Sequence, residues 1–368
     1  MHLANVHTVA MAGPGDVSQV AALFEKGVAP QDVVAVIAQT EGDGYARGYA
    51  SLAMEGLFSR KLGIEPREVF ERIPMLMIGG TAGLMHPHFT LFTKSKQGGE
   101  RSASGSSKRL AIGVASTRRL LPEEYGTLVE LDAVVEATKQ AMREAGIQDS
   151  RDIHSVQMKT PSMTPARVED AKSRGKEVCN ANLLTASGMT RGAAALGSAV
   201  AIGEIERNRI TDKTIGGDAS VYSNIGCASA GAEQHSVRVI VIGNVAGAPG
   251  NLVAAHGMMK HPLDLAGAYD AFRNAGLEVA DGQLTPASRK RLRAVFCKAG
   301  GDAVGAVDGR RHTMRSDFLS AFSGHQAKAV VHAIMSSIAG TTQVLANAGP
   351  EHQGAPGANQ ICVIAEAA

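Results

Sequence analysis

Ser229 and Lys159 are the residues whose types and settings could do covalent chemistry. Ser229 lies in the run "NIGCASAGAEQH" (224–235), among residues too small to fill a core and just before the apolar stretch "VRVIVIGNV". Lys159 closes another largely apolar stretch, "HSVQMK". A serine hydroxyl is a weak nucleophile at its free pKa and needs an adjacent base. Lysine becomes such a base when burial or a neighbouring cation lowers its pKa toward neutrality. The pair is then a variant of the serine–histidine–aspartate logic. In that chemistry Ser229 attacks a carbonyl, the backbone amides around Ala230 and Gly231 hold the oxyanion, and Lys159 returns the proton to a leaving nitrogen. Taken alone, a serine in a Gly/Ala turn more often caps that turn, and a lysine at a strand end is usually a solvated terminus. The rest of the chain decides between these readings.

One unit recurs three times. It reads as an amphipathic helix, an apolar strand ending in a polar residue, a small-residue helix, a strand breaking into a glycine turn, and a last apolar strand. The copies begin at "DVSQVAALFEKG", "LDAVVEATKQAMREAG" and "LDLAGAYDAFRNAG". Their first strands end at Gln39, Lys159 and Lys298. Their turns are Ile78-Gly79-Gly80-Thr81-Ala82, Ser229-Ala230-Gly231-Ala232-Glu233 and Asn347-Ala348-Gly349-Pro350-Glu351. Glycine in such a turn permits a positive φ and lets a ligand meet backbone amides. The pattern predicts an α/β (α+β) protein of three similar domains, 1–104, 105–250 and 251–368. The Gly/Ser-rich stretch 95–108 and the stretch 247–262 read as connections. Around a pseudo-threefold axis, six strand ends would meet at one centre.

Composition excludes other classes. With 44% hydrophobic and 20% charged residues and a net charge of +2, the chain lacks the footprint of a nucleic-acid binder. The basic run "SRKRLRAVFCK" lies beside acidic helices and reads as solvated surface. No apolar run reaches the roughly 18 residues of a membrane helix, and the N-terminus lacks a secretory pattern. Cys179, Cys227, Cys297 and Cys362 have no CxxC spacing, so a reducing cytoplasm is expected and neither a disulfide framework nor a zinc site is indicated.

Taken together, "TEGDG", "GGTAGLMHPH", "LLPEEYG", "VQMKTPSMTPA", "SGMTRGAAALG", "SAGAE", "GRRHTMRSD" and "AGPEHQGAPG" carry a resemblance along nearly the whole chain. The sequence resembles the cyanuric acid hydrolase and barbiturase family of ring-opening amidohydrolases. That resemblance implies three similar domains around a central active site, usually in a homotetramer. It also implies a lysine–serine pair in each domain with an arginine clamping a ring carbonyl. The middle unit keeps the whole set as Lys159, Arg191 and Ser229. The first keeps Arg47 but has Gln39 and Ile78 at the lysine and serine positions. The third keeps Lys298 but has Asn347 for the serine and His325 near the clamp position. One intact dyad remains.

The lost positions point to a substrate. Ile78 removes a donor and adds branched apolar bulk, so a less symmetric ring is expected, with an apolar or substituted edge toward Ile78. Gln39 and Asn347 suit an amide edge because each both donates and accepts. His86 and His88 are expected to be structural. The resemblance also implies a structural divalent cation near Glu351–Gly357, ligated partly by a glutamate whose place Gly300 takes here; Asp302 is the nearest substitute, and no cofactor is required for the chemistry. The leading expectation is a hydrolase of a cyclic ureide, imide or lactam. Cyanuric acid hydrolysis proper and a non-catalytic ring-binding paralogue or partner subunit stand as alternatives.

Overall fold

The computed structural model describes residues 2–42, 44–96, 107–315 and 317–368. Among them three four-stranded sheets form, each from one stretch of chain. The first holds β1 (Leu3–Ala10), β2 (Val33–Gln39), β3 (Met75–Ile78) and β4 (His88–Ser95). The second holds β5 (Lys108–Ser116), β6 (Ile153–Pro161), β7 (Gly226–Gly231) and β8 (Arg238–Ala246). The third holds β9 (Leu252–Met259), β10 (Leu292–Lys298), β11 (Leu345–Asn347) and β12 (Asn359–Glu366). Every sheet has the same order across it: opening strand, closing strand, second, third. The second and third strands run parallel, and the closing strand runs antiparallel to both its neighbours.

A parallel pair needs a crossover, and a helix supplies it in each unit. The connecting helices are α1 (Ser18–Glu25) and α2 (Gly44–Leu62) in the first unit, α3 (Leu128–Ala145) and α4 (Leu183–Ala201) in the second, α5 (Leu265–Asn274) and α6 (Ser323–Ala339) in the third. Helix α3 shows why these segments are helical. Leu131, Val134, Val135, Thr138 and Ala141 recur at helical spacing and are buried. The Thr127 hydroxyl accepts from the Val129 amide at the N-terminus, and Gly146, at φ 74°, closes the C-terminus in the left-handed region. At Gly113 strand β5 comes so close to this helix that a Cβ there would lie 1.8 Å from the Ala141 carbonyl oxygen.

The strands alternate between two cores. On β8, Val239 and Val241 face the helices of their own unit, while Ile240 and Ile242 face inward. On β12, Ile361 and Val363 face outward and Cys362 and Ile364 inward. The inward residues of all three sheets form one shared core, where the rings of Phe92 and Phe296 stack at 6.1 Å. Each sheet thus has one face under its own helices and one against the other two sheets. This is the three-domain, pseudo-threefold architecture expected from the repeat.

The repeat as read from sequence opens with a helix; in the structure a strand precedes that helix in each unit, inside the bounds 1–104, 105–250 and 251–368. Strand β9 fills the middle of 247–262, which reads as a connection because His256 and Gly257 interrupt its apolar run; it pairs with β12 from Leu252 to Met259. The other expected connection, 95–108, falls mostly on 97–106, outside the described residues.

Candidate active site

The site is built where second and third strands end, the usual place for ligands in open α/β sheets. Parallel register sets Gln39 beside Ile78, Lys159 beside Ser229, and Lys298 beside Asn347. The second-strand end of each unit also reaches the next unit. Lys159 Nζ donates to the Met77 carbonyl at 2.6 Å, and Lys298 Nζ donates to the Ala228 carbonyl at 2.7 Å. Gln39 Oε1 accepts from the Ala346 amide at 3.1 Å. Residues 77, 228 and 346 each directly precede the turn position, so the three bonds are cyclic equivalents. They close the ring of domains.

A cavity of about 1400 Å³ opens at this ring and takes in parts of all three units. Ser229 and Lys159 line it, as do the turn residues Ile78, Gly79, Gly80, Ala230, Asn347, Ala348 and Gly349. Lys298 and Gln39 lie behind its wall, contrary to their expected role as substrate ligands. Both are buried, and their polar atoms are taken up by backbone: Lys298 Nζ also donates to the Ala348 carbonyl at 2.7 Å, and Gln39 Nε2 donates to Ile78. Gly231 lies outside the lining too. Neither His86 nor His88 reaches the cavity; His88 is buried with its Nδ1 2.7 Å from the His86 carbonyl.

Ser229 is 6% exposed, and its Oγ has no hydrogen-bond partner. Lys159 is 1% exposed. Burial pushes its ammonium down to about 8, opposed by the Glu233 carboxylate 3.6 Å away and reinforced by Arg47. No hydrogen bond joins Lys159 Nζ to Ser229 Oγ; the amine is turned to Met77 and Glu233. Glu233 is a residue the sequence reading passes over, although it is the fifth member of the turn. Its repeat in the third unit, Glu351, was the available signal.

The expected clamps divide. Arg191 lines the cavity but is held by Glu351, donating from Nε at 2.9 Å and Nη2 at 2.7 Å. Burial disfavours the Glu351 carboxylate, yet the Arg191 ion pair more than offsets it and holds the group at about 2. Arg191 Nη1 takes no part in that pair. Arg47 and His325 also line the cavity. Lys328, on α6, is a second residue missed from sequence. It is buried, lines the cavity, and donates from Nζ to the carbonyls of Gly79 and Gly80 at 2.8 and 2.6 Å. A charged residue within the apolar run "AKAVVHAIM" was the sign.

The glutamate that the resemblance implies as a ligand of a divalent cation has no counterpart at Gly300. A Cβ at Gly300 would lie 2.1 Å from the Ala358 carbonyl oxygen, so no side chain fits there. Glu351 is committed to Arg191, and among the described residues no three His, Cys, Asp or Glu side chains come together. Asp302 is buried, its Oδ1 unpaired and its Oδ2 accepting from the Ser323 hydroxyl. The 351–357 loop is held by protein groups. Gln353 accepts from the Ala228 amide at 2.6 Å and donates to Gly349 and Glu351, which fastens the third unit to the strand bearing Ser229.

Comparison with known proteins agrees with this geometry. A family model described as amidohydrolase ring-opening protein matches residues 5–366. The chain is 41% identical to a cyanuric acid amidohydrolase of Enterobacter cloacae, over 99% of this chain and 100% of that one. It is 40% identical to a cyclic amide hydrolase of Azorhizobium caulinodans, over 98% and 99%. A solved structure of a cyanuric acid hydrolase, described as arising by structural concatenation, superposes with a TM-score of 0.94 at 37% identity, covering both chains fully. A second, from A. caulinodans, gives 0.89 at 32%, covering 100% of this chain and 99% of that one. With its three concatenated sheets meeting at one cavity, the chain belongs to the family of ring-opening amidohydrolases.

Proposed function

We propose that this enzyme opens a cyclic amide or imide ring by attack of Ser229 on a ring carbonyl, with Lys159 as general base. One observation carries the reading: a buried, unpartnered serine hydroxyl stands in register beside a buried lysine whose pKa is drawn toward neutrality, on the wall of the shared cavity. The neutral amine takes the Ser229 proton as Oγ bonds to the carbonyl carbon. Collapse of the tetrahedral intermediate breaks the ring C–N bond, and the lysine gives its proton to the leaving nitrogen. Water then hydrolyses the ester, releasing the open chain and the serine. The bond between Nζ and Oγ has to form as substrate enters, since such hydrogen bonds often tighten only in the complex.

In this reading Arg191, through Nη1, and Arg47 bind the substrate, both lining the cavity. The substrate is a ring less symmetric than cyanuric acid, because Ile78 and Asn347 replace two of the three equivalent serine positions. Cyanuric acid itself is the second reading, favoured by the full-length relatives named above. A homotetramer and a reducing cytoplasm complete the proposal. The four cysteines are all unpaired, and α2 exposes Tyr49 and Leu52, apolar surface that a partner subunit could cover. Among the described residues no helix is long and apolar enough to cross a membrane.

The test is turnover of a panel of cyclic ureides, imides and lactams, followed by loss of ring absorbance, with Ser229→Ala and Lys159→Ala. Loss of the nucleophile is expected to lower kcat by about 10⁴-fold or more while leaving ligand binding in place. Turnover that survives Ser229→Ala removes the proposed mechanism.

A further inference from the structure

The three turns are internal controls for one another. Their fifth residues are Glu233, Glu351 and Ala82. Glu233 stands 3.6 Å from Lys159, and Glu351 forks onto Arg191. In two units, then, a turn carboxylate compensates a cation of the cavity. The first unit has lost its carboxylate, but the cations around its turn remain. Arg47 packs on Gly79 so closely that a Cβ there would lie 2.6 Å from Nη1, and His325 Nε2 would lie 2.4 Å from a Cβ on Gly80. Lys328 bonds the carbonyls of the same two glycines.

Neither Arg47 nor Lys328 has a carboxylate partner among the described residues. Arg47 Nε is buried and unpaired. Burial pushes Lys328 down to about 7, and the charges acting on it, Lys298, Arg47 and Lys159, are all cations. A buried ammonium without a counter-charge is unfavourable, and the half-buried guanidinium beside it adds to the unbalanced charge. They are tolerated where a ligand brings the missing charge. Ile78, which precedes these glycines and lines the same cavity, offers a ring edge no hydrogen bond but packs well against carbon.

We propose that the Ile78–Gly80 corner binds a carboxylate borne on a carbon of the substrate ring, in the place that a turn glutamate takes in the other two units. The substrate class is therefore a carboxylated cyclic amide, with ring carbon against Ile78 and the carboxylate between Arg47 and Lys328. A guanidinium fork and an ammonium suit that group, which can accept from both. This rests on the ring-opening reading for the identity of the site, though binding can be measured apart from turnover.

The test is calorimetric binding to Ser229→Ala protein of two matched pairs: 5,6-dihydrouracil with its 6-carboxylate, and 2-pyrrolidinone with its 5-carboxylate. Barbiturate, an acidic ring without a carboxylate, is the third probe. The carboxylated member is expected to bind at least tenfold tighter in each pair. Lys328→Met and, independently, Arg47→Gln should bring that ratio toward one, and Lys328→Arg should restore it. Equal binding within both pairs, or a ratio that survives both substitutions, overturns the proposal. A gain for barbiturate as large as that for the carboxylates places the charge on the ring itself and overturns it too. Turnover of the unsubstituted enzyme is followed separately. A carboxylate preference without ring opening would refute the catalytic reading and leave this one standing.

Discussion

Glu233→Gln isolates the electrostatic part of the mechanism. The substitution keeps shape and removes one negative charge 3.6 Å from Lys159 Nζ. At that distance a unit pair is worth about 5 kcal/mol at an effective dielectric of about 20 and about 1 kcal/mol in bulk water. Both groups are largely buried, so the effect lies between those limits, and at about 1.4 kcal/mol per unit it corresponds to roughly one to three pKa units. The carboxylate favours the charged amine, so removing it lowers the lysine pKa. The catalytic form is the neutral amine. Activity therefore rises with pH through the lysine pKa, near about 8 in the unsubstituted enzyme, and in Glu233→Gln that rise should move below about pH 7. The assay is kcat/KM against pH from 5 to 10 on one substrate, with Glu233→Asp expected to return the limb part of the way. A limb that stays in place, or moves to higher pH, refutes the assignment of Lys159 as the base.

Ile78→Ser should shift the kcat/KM ratio between unsubstituted and ring-substituted substrates toward the former by about tenfold, since a regained hydrogen bond is worth about 1–3 kcal/mol; an unchanged ratio would refute the role given to Ile78. Glu130, whose oxygens accept from Gly126 N and Thr190 Oγ1, is raised by burial to about 8. Its folded pKa exceeds its unfolded one, so the stability it contributes is complete below about pH 4.5 and is lost as pH rises toward 8. Thermal unfolding of Glu130→Gln between pH 5 and 8.5 should accordingly show a flatter profile than the parent, and a parallel profile would contradict the assignment. Gly113→Ala should destabilise the second unit by about 1–3 kcal/mol in chemical denaturation, because its methyl meets the Ala141 carbonyl.

The repeat was legible because three independent copies agree on the same alternation of apolar and polar positions. That agreement located the strand ends Gln39, Lys159 and Lys298 and the turns beside them, and the parallel register bears out their adjacency. The opening strands were not legible. Asn5, His7 and Thr8 on β1, and His256 with Gly257 on β9, break the apolar pattern, and these strands are specified by pairing with a closing strand far along the chain. The pairing of Arg191 with Glu351 spans 160 positions and joins two units, so no local spacing encodes it. Sequence could assign residue types to the cavity, but the division between lining and wall depends on where each amine finds an acceptor.

That division explains why the three lysine positions have fared differently. Lys298 sits in a unit with no serine at the turn position, yet its amine donates to Ala228, the residue before Ser229, and to Ala348. Its loss would take one charge-assisted bond from the buried Ala228 carbonyl, which keeps its bond from Asn347 Nδ2 at 3.3 Å, and one from the half-buried Ala348 carbonyl, a cost of about 1.5–3 kcal/mol for each bond. A bracing role therefore preserves this lysine without a catalytic one. At the junction of the first and third units the geometry is reversed. There the Ala346 amide points at residue 39 as a donor, and an ammonium has no acceptor to offer it. A carboxamide does, and through its nitrogen it also bonds the Ile78 carbonyl. Gln39 is thus not a decayed lysine but the residue that this junction's hydrogen bonds require, and with no base there a serine at position 78 would have nothing to activate it. The first unit's turn is thereby free of the chemistry and available for recognition, while the hydrolytic pair is confined to the second.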